Sequence, residues 1–190
     1  MGYDIVWHGR GGQGVVVAAH ILAQAAYLEG FGGITSAPQF GPERRGAPLT
    51  ASTRISSTTI RTVSQVQKAD IAVVLDPSLM RIINIAATLN DGGLIVINTN
   101  LQPHDFPAYA EYAVATCDAL HIANGCGLLK DGSAVVNAPM VGALARASGI
   151  ISLSSLEKVF TERFKGVLAS VNLMAVNEAY VATILKKRGE

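Results

Sequence analysis

Apolar residues along this chain gather in short unbroken runs, and each run ends on glycine, proline or a polar side chain. Asp4-Ile5-Val6-Trp7-His8, "ITSAP" at 34–38, "IAVVLDP" at 71–77 and "GLIVIN" at 93–98 have the length and β-branched content of strands. Near-continuous runs of this kind suit a parallel sheet covered on both faces. "LTASTRISSTTI" at 49–60 alternates instead, as a half-exposed strand does, so an antiparallel element is expected beside the parallel ones. Residues 15–29 read as a helix closed by Gly30. Further helices are expected at about 78–89, 117–124, 140–147, 153–164 and 167–187, the fourth capped by Ser154 or Ser155. Strand, glycine loop at 9–14 and helix make the first half of a βαβ unit. No repeat or linker divides the chain, so residues 1–190 are expected to form a single α/β domain.

Composition narrows what such a domain could do. At 190 residues the chain can bury a substantial core, yet 49% of it is hydrophobic and only 15% charged. Either that core is large and well buried, or apolar surface is left over for a partner subunit. A net charge of +1 without a Lys/Arg cluster lacks the electrostatic footprint of a nucleic-acid binder. Met1-Gly2-Tyr3-Asp4 has neither the basic nor the apolar region of a signal peptide, and His20 and Gln24 interrupt the longest apolar run. A cytoplasmic protein without a membrane partner is the expectation. Cys117 and Cys126 supply neither a disulfide framework nor the four thiolates of an iron–sulfur cluster, and read as buried small residues.

The glycine loop carries the first chemistry. Gly9, Arg10, Gly11, Gly12, Gln13 and Gly14 fit G-x-G-x-x-G, directly after a strand and opening a helix. Backbone N–H groups at that helix start favour an anion, to which Arg10 could add charge. A dinucleotide site also needs an acidic residue at the end of the second strand, about 20 residues on. Here that strand runs into Thr35-Ser36-Ala37-Pro38-Gln39-Phe40, and no carboxylate comes before Glu43. Half of the NAD or FAD fingerprint is therefore missing, and the glycines could serve only close packing or the approach of another polypeptide.

The second unusual segment is "APQFGPERRGAPLTASTRIS" at 37–56. Three prolines and two glycines within residues 37–48 make a stiff irregular loop, from which Phe40, Glu43, Arg44 and Arg45 can be presented for recognition. Both arginines offer forked donors to a carboxylate, a phosphate or an acidic patch on another subunit, although a solvated charged turn has the same composition.

Together with "GRGGQGVVVAAHILAQAA", "ADIAVVLDP" and "VNAPMVGALARASGI" at 136–150, this segment resembles the gamma subunit of the 2-oxoacid:ferredoxin oxidoreductases, the pyruvate and 2-oxoisovalerate enzymes in particular. The resemblance spans nearly the whole chain in the family's order. It implies a Rossmann-like, three-layer α/β/α domain, mostly parallel with room for an antiparallel element, acting inside a hetero-oligomer of alpha, beta and delta type subunits. In that family other subunits bind thiamine diphosphate, carry the iron–sulfur clusters, and convert a 2-oxoacid and coenzyme A to acyl-CoA and carbon dioxide while reducing ferredoxin. This chain has neither the thiamine motif nor a CxxCxxC run, so it is expected to be silent alone. Phe40 and Gly46-Ala47-Pro48 resemble the pyruvate-type form. Coenzyme A is a candidate ligand shared with the glycine loop.

Other residues carry two readings each. His8, Asp76, Asn98 and Asn137 fall where strands end or a helix begins, and so could face the crevice above the sheet or act as structural supports and caps. His20, His104 and His121 show no ligand spacing, so no metal is assigned. No catalytic residue is named, because spacing alone shows no triad or carboxylate pair. A self-sufficient dinucleotide oxidoreductase and a small nucleotide- or anion-binding module remain as alternatives to the subunit.

Overall fold

In the computed structural model, which describes residues 2–39, 46–61 and 66–190, strand β1 (Gly2–Arg10) leads through the glycine loop into helix α1 (Val15–Leu28). Gly30 follows at φ 89, and the N–H groups of Gly30 and Phe31 donate to the carbonyls of Tyr27 and Ala26. That is the glycine-closed end the sequence predicts. The chain continues through β2 (Gly33–Gln39), β3 (Pro48–Ser56), β4 (Ala69–Val74), β5 (Leu89–Asn98) and β6 (Ala113–Cys117). Helix α2 (Ala119–Gly125) precedes a small hairpin of β7 (Leu129–Lys130) and β8 (Ser133–Ala134). Three helices, α3 (Asn137–Ser148), α4 (Leu153–Arg163) and α5 (Val167–Ala182), are followed by β9 (Ile184–Lys186).

The large sheet has the order β2-β3-β1-β4-β5-β6-β9. Strands β1, β4, β5 and β6 are parallel neighbours, whereas β3 pairs antiparallel with both β1 and β2, and β9 antiparallel with β6. The fold class is therefore the expected α/β sheet with antiparallel elements. The expected βαβ unit is modified, because β3 is inserted between β1 and β2. Alternation explains the insertion: Ala51, Thr53 and Ile55 are buried against α1 while Thr50, Ser52 and Arg54 stay half-buried on the other face.

Parity along the central strands builds two unequal covering layers. Ile5, Trp7, Ile71, Val73, Leu75 and Val96 pack against the α-helices. Val6, Ala72, Val74, Ile95, Ile97 and Val114 point to the opposite face, where Ile83, Ile85, Phe106, Tyr109 and Tyr112 cover them from short connecting segments and 3₁₀ turns. On the helical side, α3 and α5 approach so closely that a Cβ at Gly142 would clash with the Val176 carbonyl oxygen.

Three expectations are corrected. The helix expected at 78–89 is two 3₁₀ turns, 77–81 and 86–88, and β5 starts at Leu89. Ile82, Ile83 and Ile85 are stiff at χ1, and Asn84 Oδ1 accepts the Ala87 N–H, a local bond that competes with a helix. The final helix stops at Ala182 because Thr183 turns extended, its hydroxyl donating to the Ala179 carbonyl, and Ile184–Lys186 joins β6. The cap of α4 is Ser152, whose Oγ accepts the Ser155 N–H, rather than Ser154 or Ser155.

Candidate functional site

The glycine loop lies at the carboxyl end of β1 and is fastened to the stem that leads into β3. Gly11 N–H donates to the Ala47 carbonyl at 2.9 Å, and Gly46 N–H returns a bond to the Gly11 carbonyl at 3.1 Å. Within the loop, Gln13 Oε1 accepts the Arg10 N–H at 2.8 Å while Gln13 N–H donates to the Arg10 carbonyl. Gly14 adopts φ 82, a conformation that suits glycine, and a Cβ there would meet Asn137 Nδ2 at 2.8 Å. Two constraints thus fix glycine at the N-cap of α1.

The first bond inside α1 runs from Ala18 N–H to the Gly14 carbonyl. The N–H groups of Val15, Val16 and Val17 consequently have no partner within the helix, and they add to its positive amino end. Val15, Val16 and Val17 line a cleft of about 750 Å³ that is walled also by the glycine loop, by Gly46–Leu49, and by Lys130 and Ser133 of the β7–β8 hairpin. Such a space can take part of an anionic small molecule.

Arg10 sits at the loop's edge with its guanidinium engaged inside the chain. Nε donates to Asp76 Oδ2 at 2.8 Å, Nη2 to Ser78 Oγ at 2.9 Å and Nη1 to the Gly46 carbonyl at 3.0 Å. Asp76 in turn caps the following 3₁₀ turn, its Oδ1 accepting the Ser78 N–H and hydroxyl. Burial opposes ionisation of Asp76, but the bonds from Ser78 and Arg10 outweigh it and hold the carboxyl below its ordinary value. Gln13 Nε2 lies 3.4 Å from the same Oδ2.

The other crevice candidates are distributed differently. Asn98 is buried and braces the scaffold, Nδ2 donating to the Leu75 carbonyl and Oδ1 accepting the Leu120 N–H. Asn137 is the first residue of α3, with Val136 as its cap, and lies against Gly14. His8 is 3% exposed on the sheet face away from α1, and neither ring nitrogen has a hydrogen-bond partner among the described residues. Burial pushes its pKa down to about 4, so the imidazole is neutral at pH 7. Phe40, Glu43, Arg44 and Arg45 lie outside the described residues.

The structure therefore brings Asp76 and Asn137 against the glycine loop, of which Arg10–Gly14 line the cleft. The hairpin residues Lys130 and Ser133 were not singled out from sequence, although "LLKDGSAV" carries the Asp-Gly signal of a tight turn, with Asp131 at φ 50 and Gly132 at φ 76. Dinucleotide binding loses its second support as well, because β3 occupies the place beside β1 that a nucleotide fold gives to its acidic-ended strand. Among the described residues, no three His, Cys, Asp or Glu side chains stand together as a metal site, and no helix is long and apolar enough to cross a membrane.

Comparison with known proteins bears on the whole chain. Residues 4–182 match the family model described as pyruvate ferredoxin/flavodoxin oxidoreductase. The chain is 40% identical to the pyruvate/ketoisovalerate oxidoreductases common subunit gamma of Thermococcus litoralis, over 96% of this chain and 97% of that one. It is also 40% identical to pyruvate synthase subunit PorC of Methanocaldococcus jannaschii, over 98% and 99% of the two chains. The crystal structure of pyruvate oxidoreductase subunit PORC from Thermotoga maritima superposes with a TM-score of 0.80 at 29% identity, covering 98% of this chain and 100% of that one.

Proposed function

This chain belongs to the pyruvate ferredoxin/flavodoxin oxidoreductase family, and from that premise we propose how it serves as the gamma-type accessory subunit of a pyruvate or related 2-oxoacid:ferredoxin oxidoreductase. The complex decarboxylates the 2-oxoacid, transfers the acyl group to coenzyme A and passes the electrons to ferredoxin. Thiamine diphosphate and the iron–sulfur clusters belong to alpha, beta and delta type partners, which this single cytoplasmic domain joins through its proline-rich loop and apolar surface. Its own share is binding and orientation.

The observation that supports this most directly is the joined pair of loops. Val15–Val17, whose N–H groups have no partner inside the helix, line a cleft together with the stem of the proline-rich segment. An anionic group, with the phosphates of coenzyme A as the candidate, would be met there by oriented backbone dipoles whose reorganisation cost has already been met by the fold. Lys130 stands at the same cleft as a mobile point charge. Acid–base chemistry and electron transfer are assigned to the partners, because Arg10 and Asp76 are bound to each other and His8 is sealed away from the cleft lining.

Anaerobic purification of the tagged chain from its own cells tests the reading, with subunit identification and iron and thiamine analysis. Recovery with larger, cluster-containing partners is the expected result, and the separated chain should not oxidise pyruvate. Recovery alone, without iron or thiamine, would shift the weight to a free-standing nucleotide- or anion-binding module. Within the complex, Gly11→Val should weaken assembly or raise the KM for coenzyme A, since Gly11 pairs with both Gly46 and Ala47. Unchanged association together with unchanged kinetics would remove the loop from the function.

A further inference from the structure

An arginine in a glycine loop invites assignment as an anion ligand, yet the bonds of Arg10 point elsewhere. Its fork reaches three acceptors on two stretches of chain: the carboxylate of Asp76 and the hydroxyl of Ser78 in the turn after β4, and the carbonyl of Gly46 at the stem of the proline-rich loop. The carboxylate is a stiff anchor, because the Ser78 N–H and hydroxyl hold its other oxygen at 2.9 and 2.6 Å. Directly beside this fork, the Gly11 N–H donates to the Ala47 carbonyl and the Gly11 carbonyl accepts the Gly46 N–H. Gln13 completes the bracket by accepting the Arg10 N–H and approaching Asp76. Neither the glycine loop nor the stem at Gly46–Ala47 can shift without breaking bonds to the other.

We propose that Arg10 is a positioning residue that locks the glycine loop to the stem of the proline-rich loop, so that a partner subunit docking on the latter fixes the geometry of the open N–H groups at the start of α1. The claim rests on the subunit reading above and adds a coupling between its two motifs. Planarity is essential to the role. A guanidinium holds Asp76, Ser78 and Gly46 at once through donors in a fixed fork, whereas the compact ammonium of lysine cannot span three acceptors so placed.

The test is hydrogen exchange over residues 11–17 and 46–49, in the full-length chain and in the assembled oxidoreductase, for wild type, Arg10→Lys, Arg10→Gln and Asp76→Asn. In the isolated chain both Arg10 variants should exchange the bonded amides of Gly11, Gln13 and Gly46 faster, by about tenfold. In the complex, assembly should slow exchange at 11–17 for wild type and not for the variants, even though they still assemble. The KM for coenzyme A should rise roughly threefold or more with kcat within about twofold, and lysine should not rescue it. Combining Arg10→Gln with Asp76→Asn should cost less than the sum of the two single losses, because both remove the Arg10–Asp76 contact.

Exchange at 11–17 that ignores Arg10 would overturn the proposal. Additive kinetic losses in the double variant would also overturn it, and would make Arg10 a direct ligand contact. Failure of the wild-type chain to assemble would instead count against the subunit reading. The isolated-chain measurement still decides the latch in that case: faster exchange in the variants supports it, and unchanged exchange refutes it.

Discussion

His8 and Gly14 show how much a single position of this chain can be asked to hold. The His8 imidazole is enclosed beside Val6 and across from Thr50 and Val74, and no group among the described residues accepts a bond from it or donates one to it. Its pKa falls from 6.5 to about 4 through burial, so the unfolded chain binds a proton in that interval which the native chain refuses. Stability should therefore rise with pH between 4 and 6.5 and level off above, a swing of at most ~3 kcal/mol. Replacing His8 with leucine removes the titration, so the difference in unfolding free energy between pH 7 and pH 5 should shrink by about 2 kcal/mol in urea titrations. An unchanged difference would mean that the native imidazole is solvated and free to protonate. Gly14→Ala faces a positive φ and contact with Asn137, and should cost about 1–3 kcal/mol in the same assay. Adding Asn137→Gly should recover the part due to the contact and leave the part due to the backbone. The glycine at position 14 was legible from the G-x-G-x-x-G spacing, but its neighbour Asn137 was not, because only the folded chain brings the start of α3 over the start of α1. The same holds for Arg10 and Asp76, which stand 66 positions apart.

Elements follow from the sequence where one local preference dominates, and depart from it where tertiary pairing decides. Helix α1 and the cores of β1, β4 and β5 are legible because their apolar runs and bounding glycines or polar residues agree on one structure. Segment 78–89 misleads because its isoleucines fit a helical stripe as readily as a pair of turns against the sheet. Strand β6 goes unnoticed because the "AVATC" run is short and its extended form depends on bonds to β5. Strand β9 is hidden behind α5 for the same reason, since pairing with β6 is what makes it a strand. Packing between elements is equally illegible, and the crossing of α3 over α5 is the sharpest case. Gly142 lets the helices meet backbone to backbone, and a Cβ there lies far inside contact distance of the Val176 carbonyl. Gly142→Ala should force the helices apart and destabilise the chain by about 2–4 kcal/mol, measured by denaturant unfolding. A loss below about 0.5 kcal/mol would show that the crossing can slide without penalty.

At the scale of the whole molecule, the α/β class could be read from periodicity, while the strand order could not, since pairing joins residues far apart in the chain. Inserting β3 next to β1 has a functional consequence: the stem of the proline-rich loop lands beside the glycine loop, where a dinucleotide fold would put its second parallel strand. The same sheet also joins the two hydrophobic cores. Strands β1, β4, β5 and β6 each send residues to both hydrophobic cores, so neither core can be lost while the sheet survives. Trp7, the only tryptophan, reports on the helical side. Its Nε1 donates to Thr53 Oγ1, which donates to the Ala19 carbonyl, so one buried relay ties β1, β3 and α1 together. Tyr109 and Tyr112 lie edge to face on the other side. Tryptophan fluorescence, near-ultraviolet tyrosine signals and far-ultraviolet circular dichroism should therefore trace one coincident urea transition for the isolated chain. A Trp7 midpoint displaced from the tyrosine midpoint would show two separable cores. Coincidence would mean that the subunit brings a finished scaffold to its partners, leaving the glycine loop and the proline-rich stem as the parts whose geometry assembly can adjust.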